Sequence, residues 1–323
     1  MQASSALTRR SFIQTTGLAL SAGLVSSAGP LLAAPRAKWP VGCRDIHLKV
    51  AGKPDSWACM KDLGAECIEV QVDINLACPN LFHPQHKYTL ATAEGIQTLR
   101  DDLAASGCAI SAFMMSNRLD ERLEQEVECA GQIARAAQKL GVGVIRIDVV
   151  PRKVEADKFL PFAVDACKRL CAAAEGTPIR YGVENHGKIT NDPVFLEKLF
   201  AGVGSDKLGL SLDCANLYWW GHPLKQLYPI YEKFASRVVH THCKSIRFPE
   251  DKKNVQRPMG WEYAKYNCPV YEGDIDFKRL VKILRKGNYR GDLCIEDESL
   301  GKFPEPQRAE VMRKQIAFLK KLA

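Results

Sequence analysis

The chain has 323 residues, of which 46% are hydrophobic and 25% are charged, and its formal net charge is +8 at pH 7. This composition is typical of a folded globular protein and excludes an intrinsically disordered chain. The bases alternate with acids in helical segments such as DFKRLVKILRKGN, so the positive charge indicates a solvated surface and gives no support for nucleic-acid binding.

The first 34 residues have the organisation of an export signal. A basic stretch with Arg9 and Arg10 precedes a short apolar, acid-free segment that ends in small residues, and this segment is too polar to span a bilayer stably. The paired arginines resemble the twin-arginine type of signal, which is read by its own export machinery. We predict a signal over residues 1–34, a folded domain over residues 35–323 and a periplasmic or otherwise exported protein. The alternative is a disordered basic tail.

Strand-like runs alternate with helical segments along the rest of the chain. The predicted strands cover residues 41–50, 65–72, 108–116, 142–150, 179–185, 208–213, 237–243 and 292–297. Several helical segments, such as TAEGIQTLRDDLAASG, have acidic or Ser/Thr starts and Gly stops, and a last helix, PQRAEVMRKQIAFLKKL, follows the eighth strand. Eight such units predict an α/β fold, a single (β/α)8 TIM barrel. An open doubly wound sheet would need a phosphate-binding Gly loop, and the sequence shows none.

The twelve cysteines do not have the pattern of a disulfide scaffold. Most of them lie in apolar strand runs or within helical periodicity, where a small buried hydrophobic residue is expected. No pair has zinc-finger spacing. Cys78 and Cys268 both lie in loop-like segments, and they are the only pair that we consider for a disulfide.

Each of the last four predicted strands ends in a side chain that can bind a divalent metal. The runs are RYGVENHG with Glu184, LGLSLDCAN with Asp213, RVVHTHCKS with His240 and His242, and GDLCIEDES with Glu296. The carboxyl ends of the strands of a closed barrel meet at one mouth, so we expect these groups to form one site. Three carboxylates and an imidazole suit a hard-to-borderline ion.

The motifs ENHG, LDCAN, HTHCKS and YEGDIDF…GDLCIE together resemble the xylose-isomerase-like barrel superfamily. More narrowly, they are similar to its sugar phosphate isomerase/epimerase family, which includes ketose 3-epimerases, hydroxypyruvate isomerases and inosose dehydratases. The resemblance extends from about residue 40 to the end of the chain. It implies that one divalent ion is bound by Glu184, Asp213, His242 and Glu296, which leaves His240 deeper in the barrel as a core residue.

The expected cofactor is one divalent metal ion, with Mn²⁺ as the first expectation and Mg²⁺, Co²⁺ or Zn²⁺ also suited to the ligand set. Such an ion polarises a carbonyl and stabilises an enediolate. The family resemblance implies that Glu184 and Glu296 also move the proton. Glu298 shares the strand face of Glu296 by alternation and is the alternative ligand.

Five further residues are predicted on the substrate side of the mouth. His186 follows Glu184 by two residues, and Lys244 lies on the rim of the seventh strand. Arg247 matches a substrate-contacting Arg of some family members, and Asn216 stands where many members have a His. Glu69, at the end of the second strand, either reaches the substrate or pairs with a Lys or Arg of the barrel.

Three classes of function compete on these observations. The first is an isomerase or epimerase acting on a sugar through an enediolate, and the second is a lyase that expels a β-substituent from a keto sugar or a 3-keto glycoside. The third is a non-catalytic sugar-binding barrel, which has little need for two glutamate bases. The abasic-site endonuclease branch would need a His-rich multi-metal site and a basic groove, and neither is evident.

The expected partner is a small sugar. Since sugar phosphates are scarce outside the cytoplasm, the predicted export favours a non-phosphorylated keto or aldo sugar. The long aromatic loop at residues 248–271 suggests either a lid or a subunit contact in a homo-oligomer, and both interpretations remain open.

Overall fold

Eight parallel strands close into a barrel in the computed structural model, which describes residues 38–323. The barrel strands, in chain order, are β1 (Val41–Arg44), β2 (Cys67–Gln71), β3 (Ala109–Met115), β4 (Val144–Ile147), β5 (Arg180–Glu184), β6 (Leu208–Asp213), β7 (Val238–Cys243) and β10 (Leu293–Ile295). Consecutive strands are neighbours, and β10 closes the barrel between β7 and β1. The predicted (β/α)8 barrel is therefore confirmed. The predicted signal over residues 1–34 lies outside the described residues.

Helices cover the outside of this barrel. They are α1 (Ser56–Leu63), α2 (Ala93–Ser106), α3 (Leu119–Leu140), α4 (Phe159–Ala173), α5 (Pro193–Val203), α6 (Asn216–Trp220), α7 (Leu224–Phe234), α8 (Tyr263–Tyr266), α9 (Phe277–Lys286) and α10 (Glu305–Lys320). Helix α2 shows how the sequence sets both ends, because Thr92 Oγ1 accepts the N–H of Gly95 and Gly107 adopts φ +70° after the last turn. None of the helices in the described part of the chain is long and apolar enough to cross a membrane.

The strands are buried on both faces, because one face packs inside the barrel and the other lies under the helices. Every residue of β6 (LGLSLD) and β7 (VVHTHC) is buried. Burial of a polar side chain in these two strands costs free energy unless the group is paired. The polar side chains at the carboxyl ends of the strands therefore indicate a functional site.

The first predicted strand was too long. Strand β1 ends at Arg44, and the next seven residues form a 3-10 helix, Asp45–Ala51. The carboxylate of Asp45 accepts the backbone N–H of Gln71 and a side-chain N–H of Asn80, which directs the chain away from the barrel immediately after Arg44. Burial raises the pKa of Asp45 to about 6.

The disulfide considered between Cys78 and Cys268 is absent, and all twelve cysteines are free thiols. Cys78 is 2% exposed and packs in the hydrophobic core beside Leu81 and Tyr88. Cys268 lies instead in β9 (Asn267–Cys268), which pairs with β8 (Ser245–Ile246). Cys78 is therefore a core residue, although the sequence around it resembles a loop.

The aromatic loop at residues 248–271 is anchored by Arg257. The guanidinium of Arg257 lies between the rings of Tyr218 and Phe248, 4.5 and 4.3 Å from their centroids. It also donates to the backbone carbonyls of Tyr218 and His222, both at 3.0 Å. The loop is thus tied to the barrel by cation–π contacts and hydrogen bonds. Its role as a lid or a subunit contact stays a prediction.

Candidate metal centre

Four predicted ligands meet at the carboxyl end of the barrel. Glu184 and Asp213 end β5 and β6, His242 lies near the end of β7, and Glu296 directly follows β10. Each offers one ligand atom, and these atoms all lie within 4.8 Å of one another. All four residues are buried. The structure therefore brings together the set that the sequence analysis assigned to one metal ion.

Local hydrogen bonds present Asp213 to this cluster. Its Oδ1 accepts the N–H groups of Ala215 and Asn216, both at 2.8 Å, where the chain turns into α6. Asn185 joins the ends of β5 and β6, because its side chain accepts the N–H of Asp213 at 2.9 Å and donates to the carbonyl of Asp213 at 2.8 Å. Asp213 Oδ1 is thus committed to the backbone, and Oδ2 is left for a cation.

His242 uses its two ring nitrogens for two different purposes. Nδ1 lies 3.2 Å from Glu184 Oε1 and 3.3 Å from Glu296 Oε2, whereas Nε2 lies 2.9 Å from Glu69 Oε2. A metal-binding histidine commonly donates its other ring N–H to a carboxylate, which fixes the ring and its tautomer. Burial alone would lower the pKa of His242, but Glu69 and Glu296 raise it to about 9.

Glu69 contacts the ligand His242 without belonging to the four-ligand set. Its carboxylate contacts Arg44 Nε at 3.2 Å and His240 Nε2 at 3.2 Å, besides His242. His240 is fully buried and its Nδ1 lies 2.8 Å from Asp292 Oδ1, as expected for a core residue. Despite burial, the two histidines hold the pKa of Glu69 well below its usual range. Of the two roles considered for Glu69, the pairing role is the one that the structure displays.

Buried Arg146 and partly buried Arg44 balance the carboxylates, and the sequence analysis missed both. Arg146 contacts Glu184 and lies 3.1 Å from Asp148 Oδ1, and Arg44 contacts Glu296. Charged residues within apolar strand runs were the available signal, in VGVIRIDVV for Arg146 and VGCRDIHLKV for Arg44. Each cation lowers the cost of burying the carboxylate that it contacts.

Lys244 is the third cation of the centre; it is buried, and it was predicted on the substrate side. Its Nζ lies 2.9 Å from Asp213 Oδ2, 3.0 Å from Glu296 Oε2 and 2.8 Å from Glu298 Oε1. Burial opposes its charge, but Asp213 and Glu296 raise the pKa of Lys244 well above its usual value. Glu298, the alternative ligand, is 45% exposed and reaches this lysine rather than His242.

The remaining predicted substrate residues are placed differently from one another. Asn216 Nδ2 donates to Glu184 Oε1 at 3.3 Å, so it belongs to the cluster. His186 is half exposed at the mouth, and its Nδ1 lies 3.0 Å from Asp148 Oδ1. Arg247 is exposed, and its backbone N–H donates to Tyr266 O at 2.9 Å. Contact of these residues with a substrate stays a prediction.

The cluster fits a divalent ion in the chemistry of its donors. Glu184 Oε2 and Asp213 Oδ2 are buried without a well-directed hydrogen bond, although Arg146 and Lys244 lie close to them. Three carboxylate oxygens and one imidazole nitrogen suit Mn²⁺, Mg²⁺, Co²⁺ or Zn²⁺. Glu184, Asp213, His242 and Glu296 would hold the ion, as the arrangement of their atoms allows.

These features define a TIM barrel whose carboxyl-end mouth carries a three-carboxylate, one-histidine metal centre. Residues 57–322 match the family model described as xylose isomerase-like TIM barrel. The chain therefore belongs to the xylose isomerase-like TIM barrel family, which confirms the broader part of the predicted resemblance.

Curated relatives match over part of their length. An inosose dehydratase of Glaesserella parasuis is 31% identical over 103 residues, which are 31% of this chain and 34% of the relative. An inosose dehydratase of Clostridium perfringens is 26% identical over 140 residues, which are 42% of this chain and 46% of the relative. The chain thus spans less than half the length of these relatives.

Solved structures share the fold over almost the whole barrel. An IOLI protein with a bound zinc atom has a TM-score of 0.66 and 13% identity, with 88% of this chain and 99% of that chain covered. A xylose isomerase-like barrel from Mycobacterium smegmatis in complex with magnesium has a TM-score of 0.63 and 16% identity, with 88% and 98% covered. The 3-keto-D-glucoside 4-epimerase of E. coli has a TM-score of 0.62 and 14% identity, with 88% and 100% covered.

Proposed function

We propose that the protein is a divalent-metal-dependent sugar isomerase or epimerase that acts on a non-phosphorylated keto or aldo sugar through an enediolate. The observation that carries this proposal is the position of Glu184 and Glu296, which flank His242 Nδ1 at 3.2 and 3.3 Å. Two carboxylates that converge on one metal ligand are near enough to share the removal and the return of one substrate proton.

When bound, the metal would supply a Lewis acid that polarises the substrate carbonyl. Glu184 or Glu296 takes the proton from the carbon next to that carbonyl, and the C–H electron pair becomes the C=C bond of the enediolate. The opposite glutamate returns a proton to the same carbon from the other face, which gives an epimer. Return of the proton to the former carbonyl carbon, with transfer of the enediolate's hydroxyl proton to the former carbonyl oxygen, gives the aldose or ketose isomer.

Other side chains of the mouth support this step. Lys244 Nζ lies within 3.0 Å of Asp213 and Glu296, so it neutralises and orients these two carboxylates. His186 is held by Asp148 and is half exposed at the mouth, where it can contact a substrate hydroxyl. Asn216 donates to Glu184 and orients that carboxylate.

The charge balance of the centre favours a neutral substrate. Arg44, Arg146 and Lys244 are each paired with carboxylates, so the charges of these three cations are already neutralised within the centre and none is left to bind a phosphate group. Export through the signal over residues 1–34 would also keep the protein away from cytoplasmic sugar phosphates.

Export itself has a direct test in the paired arginines. The variant with Arg9→Lys and Arg10→Lys keeps the charge but loses the twin-arginine motif. We expect this variant to remain in the cytoplasmic fraction, whereas the wild type is recovered from the periplasm. Equal recovery of both proteins from the periplasm would contradict twin-arginine export.

A second candidate function is dehydration or β-elimination on a keto sugar, a cyclic polyol ketone or a 3-keto glycoside. The observation in its favour is that both curated relatives described above are named inosose dehydratases. The first proton abstraction is the same, and the enediolate then expels a hydroxide or an aglycone from the β-carbon. His186, half exposed at the mouth, is the group placed to protonate the leaving oxygen.

One experiment distinguishes these reactions. Purified protein of known metal content is incubated in deuterated water with free ketoses, aldoses, inososes and 3-keto glycosides, and the products are followed by NMR. Deuterium at a carbon next to a carbonyl in an isomerised sugar supports the main proposal. An unsaturated ketone with released water or aglycone supports dehydration or elimination. Metal binding with neither reaction contradicts both and supports a sugar-binding barrel.

A further inference from the structure

We infer that the loop between β2 and α2 carries a second metal site, formed by His83, His86 and Asp102, for a borderline divalent ion of the Zn²⁺ class. One ligand atom of each residue lies within 4.8 Å of the others. All three residues are partly buried, so the site is shielded but open to ions from solvent. These residues lie outside the centre at the ends of β5, β6, β7 and β10.

The three side chains are neighbours, but binding requires one imidazole to turn, because stacked rings direct their in-plane lone pairs side by side. His83 and His86 stand three residues apart, and their rings stack with centroids 4.1 Å apart and planes at 17°. His86 Nε2 lies 2.9 Å from Asp102 Oδ2, a residue of α2. Ligands at about 2.1 Å from a tetrahedral Zn²⁺ lie roughly 3.4 Å from each other, so binding would draw the ligand atoms, which lie within 4.8 Å of one another, closer together.

A chain of hydrogen bonds from the core positions the carboxylate. The hydroxyl of Tyr88 donates to Asp102 Oδ2 at 2.6 Å, and the indole N–H of Trp57 donates to the Tyr88 oxygen at 2.7 Å. Trp57 and Tyr88 are 5% and 2% exposed. Outer partners of this kind orient the ligands of metal sites. If His86 and Asp102 formed only a surface ion pair, the pair would contribute little to stability and would not require a carboxylate oriented from the core.

The donor set distinguishes this site from the barrel centre. Two imidazoles and one carboxylate favour Zn²⁺, Co²⁺, Ni²⁺ or Cu²⁺, whereas three carboxylates and one imidazole also suit Mg²⁺ and Mn²⁺. His83 Nδ1 accepts the N–H of Gln85 at 3.2 Å, a long hydrogen bond that ligation through this atom would replace. Three protein ligands leave a fourth position for water, so the ion is exchangeable.

Metal binding at this site would fix the loop that follows β2. This loop belongs to the carboxyl-end face of the barrel, where the mouth of the metal centre opens. Cross-linking residues 83 and 86 to residue 102 restricts the loop relative to α2. We therefore expect bound Zn²⁺ to slow proteolysis within residues 73–92, independently of any turnover at the barrel centre.

The test counts Zn²⁺ ions bound to the untagged, metal-free full chain by calorimetry. The wild type is expected to bind two equivalents, and His86→Ala and Asp102→Asn are each expected to bind one. Asp213→Asn, which impairs the barrel centre, is expected to retain the loop equivalent. Lys87→Ala is the matched control, because Lys87 is exposed on the same loop and should leave two equivalents.

Retention of barrel-site binding in His86→Ala and Asp102→Asn shows that these variants are folded. The cobalt absorption spectrum of Asp213→Asn is a second readout. The loop site of this variant should give d–d bands, and these bands should be absent from the double variant Asp213→Asn, His86→Ala. The inference is overturned if His86→Ala binds as many ions as Lys87→Ala, whatever the barrel centre binds.

Discussion

The two halves of the barrel mouth contribute different things to the metal centre. Strands β5, β6, β7 and β10 end in the four ligands, whereas β1, β2 and β4 supply Arg44, Glu69 and Arg146 behind them. The carboxylates of the ligand half are buried, and the support half, together with Lys244, supplies the charges that make their burial tolerable. We therefore expect metal binding at this mouth to depend on residues outside the ligand set.

The largest expected effect comes from the ligand half. Glu184→Gln and Glu296→Gln should each lower kcat by roughly 10²–10⁴, because each removes a carboxylate that moves the substrate proton. Turnover and metal content are measured together. Glu298→Gln is the control, since Glu298 contacts Lys244 at the rim and lies outside the four-ligand set. Normal turnover with metal retained in Glu184→Gln would remove it as a base.

The support half is expected to affect stability most at Arg146. Arg146→Met leaves Glu184 and Asp148 buried without their cation, so the free energy of unfolding should fall by about 3–5 kcal/mol. Denaturant unfolding of the metal-free protein measures this change. Lys158→Met is the control, because its pair with Glu155 is exposed and should contribute almost nothing. Equal free energies of unfolding in the two variants would mean that the Arg146 pairs do not stabilise the fold.

A smaller effect is expected at Glu69, which orients a ligand without binding the metal. Glu69→Gln keeps the size of the side chain but weakens the partner of His242 Nε2. Metal affinity should fall roughly 10- to 100-fold, as for other outer partners of metal-binding histidines. Calorimetric titration measures the change, with Glu66→Gln as the matched control because Glu66 contacts Lys320 away from the mouth. Unchanged affinity in Glu69→Gln would make the support purely structural.

The smallest effect is expected at the exposed rim. Arg247→Ala should raise KM by at most about fivefold and leave kcat unchanged, because an exposed charged contact is worth only about 0.2–1 kcal/mol. Steady-state kinetics with the substrate identified by NMR measures both constants. A large loss of kcat would show that Arg247 closes over the reacting atoms, which would assign the rim a catalytic role.

The ligand half was predictable because a closed barrel brings the carboxyl ends of its strands together. Glu184, Asp213 and Glu296 each end an apolar run, so the positions could be identified once eight strand–helix units were counted. The choice of His242 over His240 needed the family resemblance. The structure agrees with it, since His240 pairs with Asp292 in the core.

The support half was not predictable, because pairing across the barrel depends on distances that sequence order does not contain. Arg44 and Glu296 are 252 residues apart and in contact, and Glu69 reaches His242 across 173 positions. The predicted end of β1 was wrong for a related reason. The alternation after Arg44 resembles a strand, and only the contacts of Asp45 with β2 and its loop show that the chain leaves the barrel there.

By itself, the sequence predicted the barrel, the family and the strand-end carboxylates Glu184, Asp213 and Glu296, because hydrophobic periodicity and strand-end placement are local patterns that a closed parallel sheet converts into one site. Only the tertiary structure decided which charges neutralise those ligands, which cysteines are core residues, and that His83, His86 and Asp102 meet. These are long-range contacts, and their energies depend on burial and on atom-to-atom distance rather than on spacing along the chain.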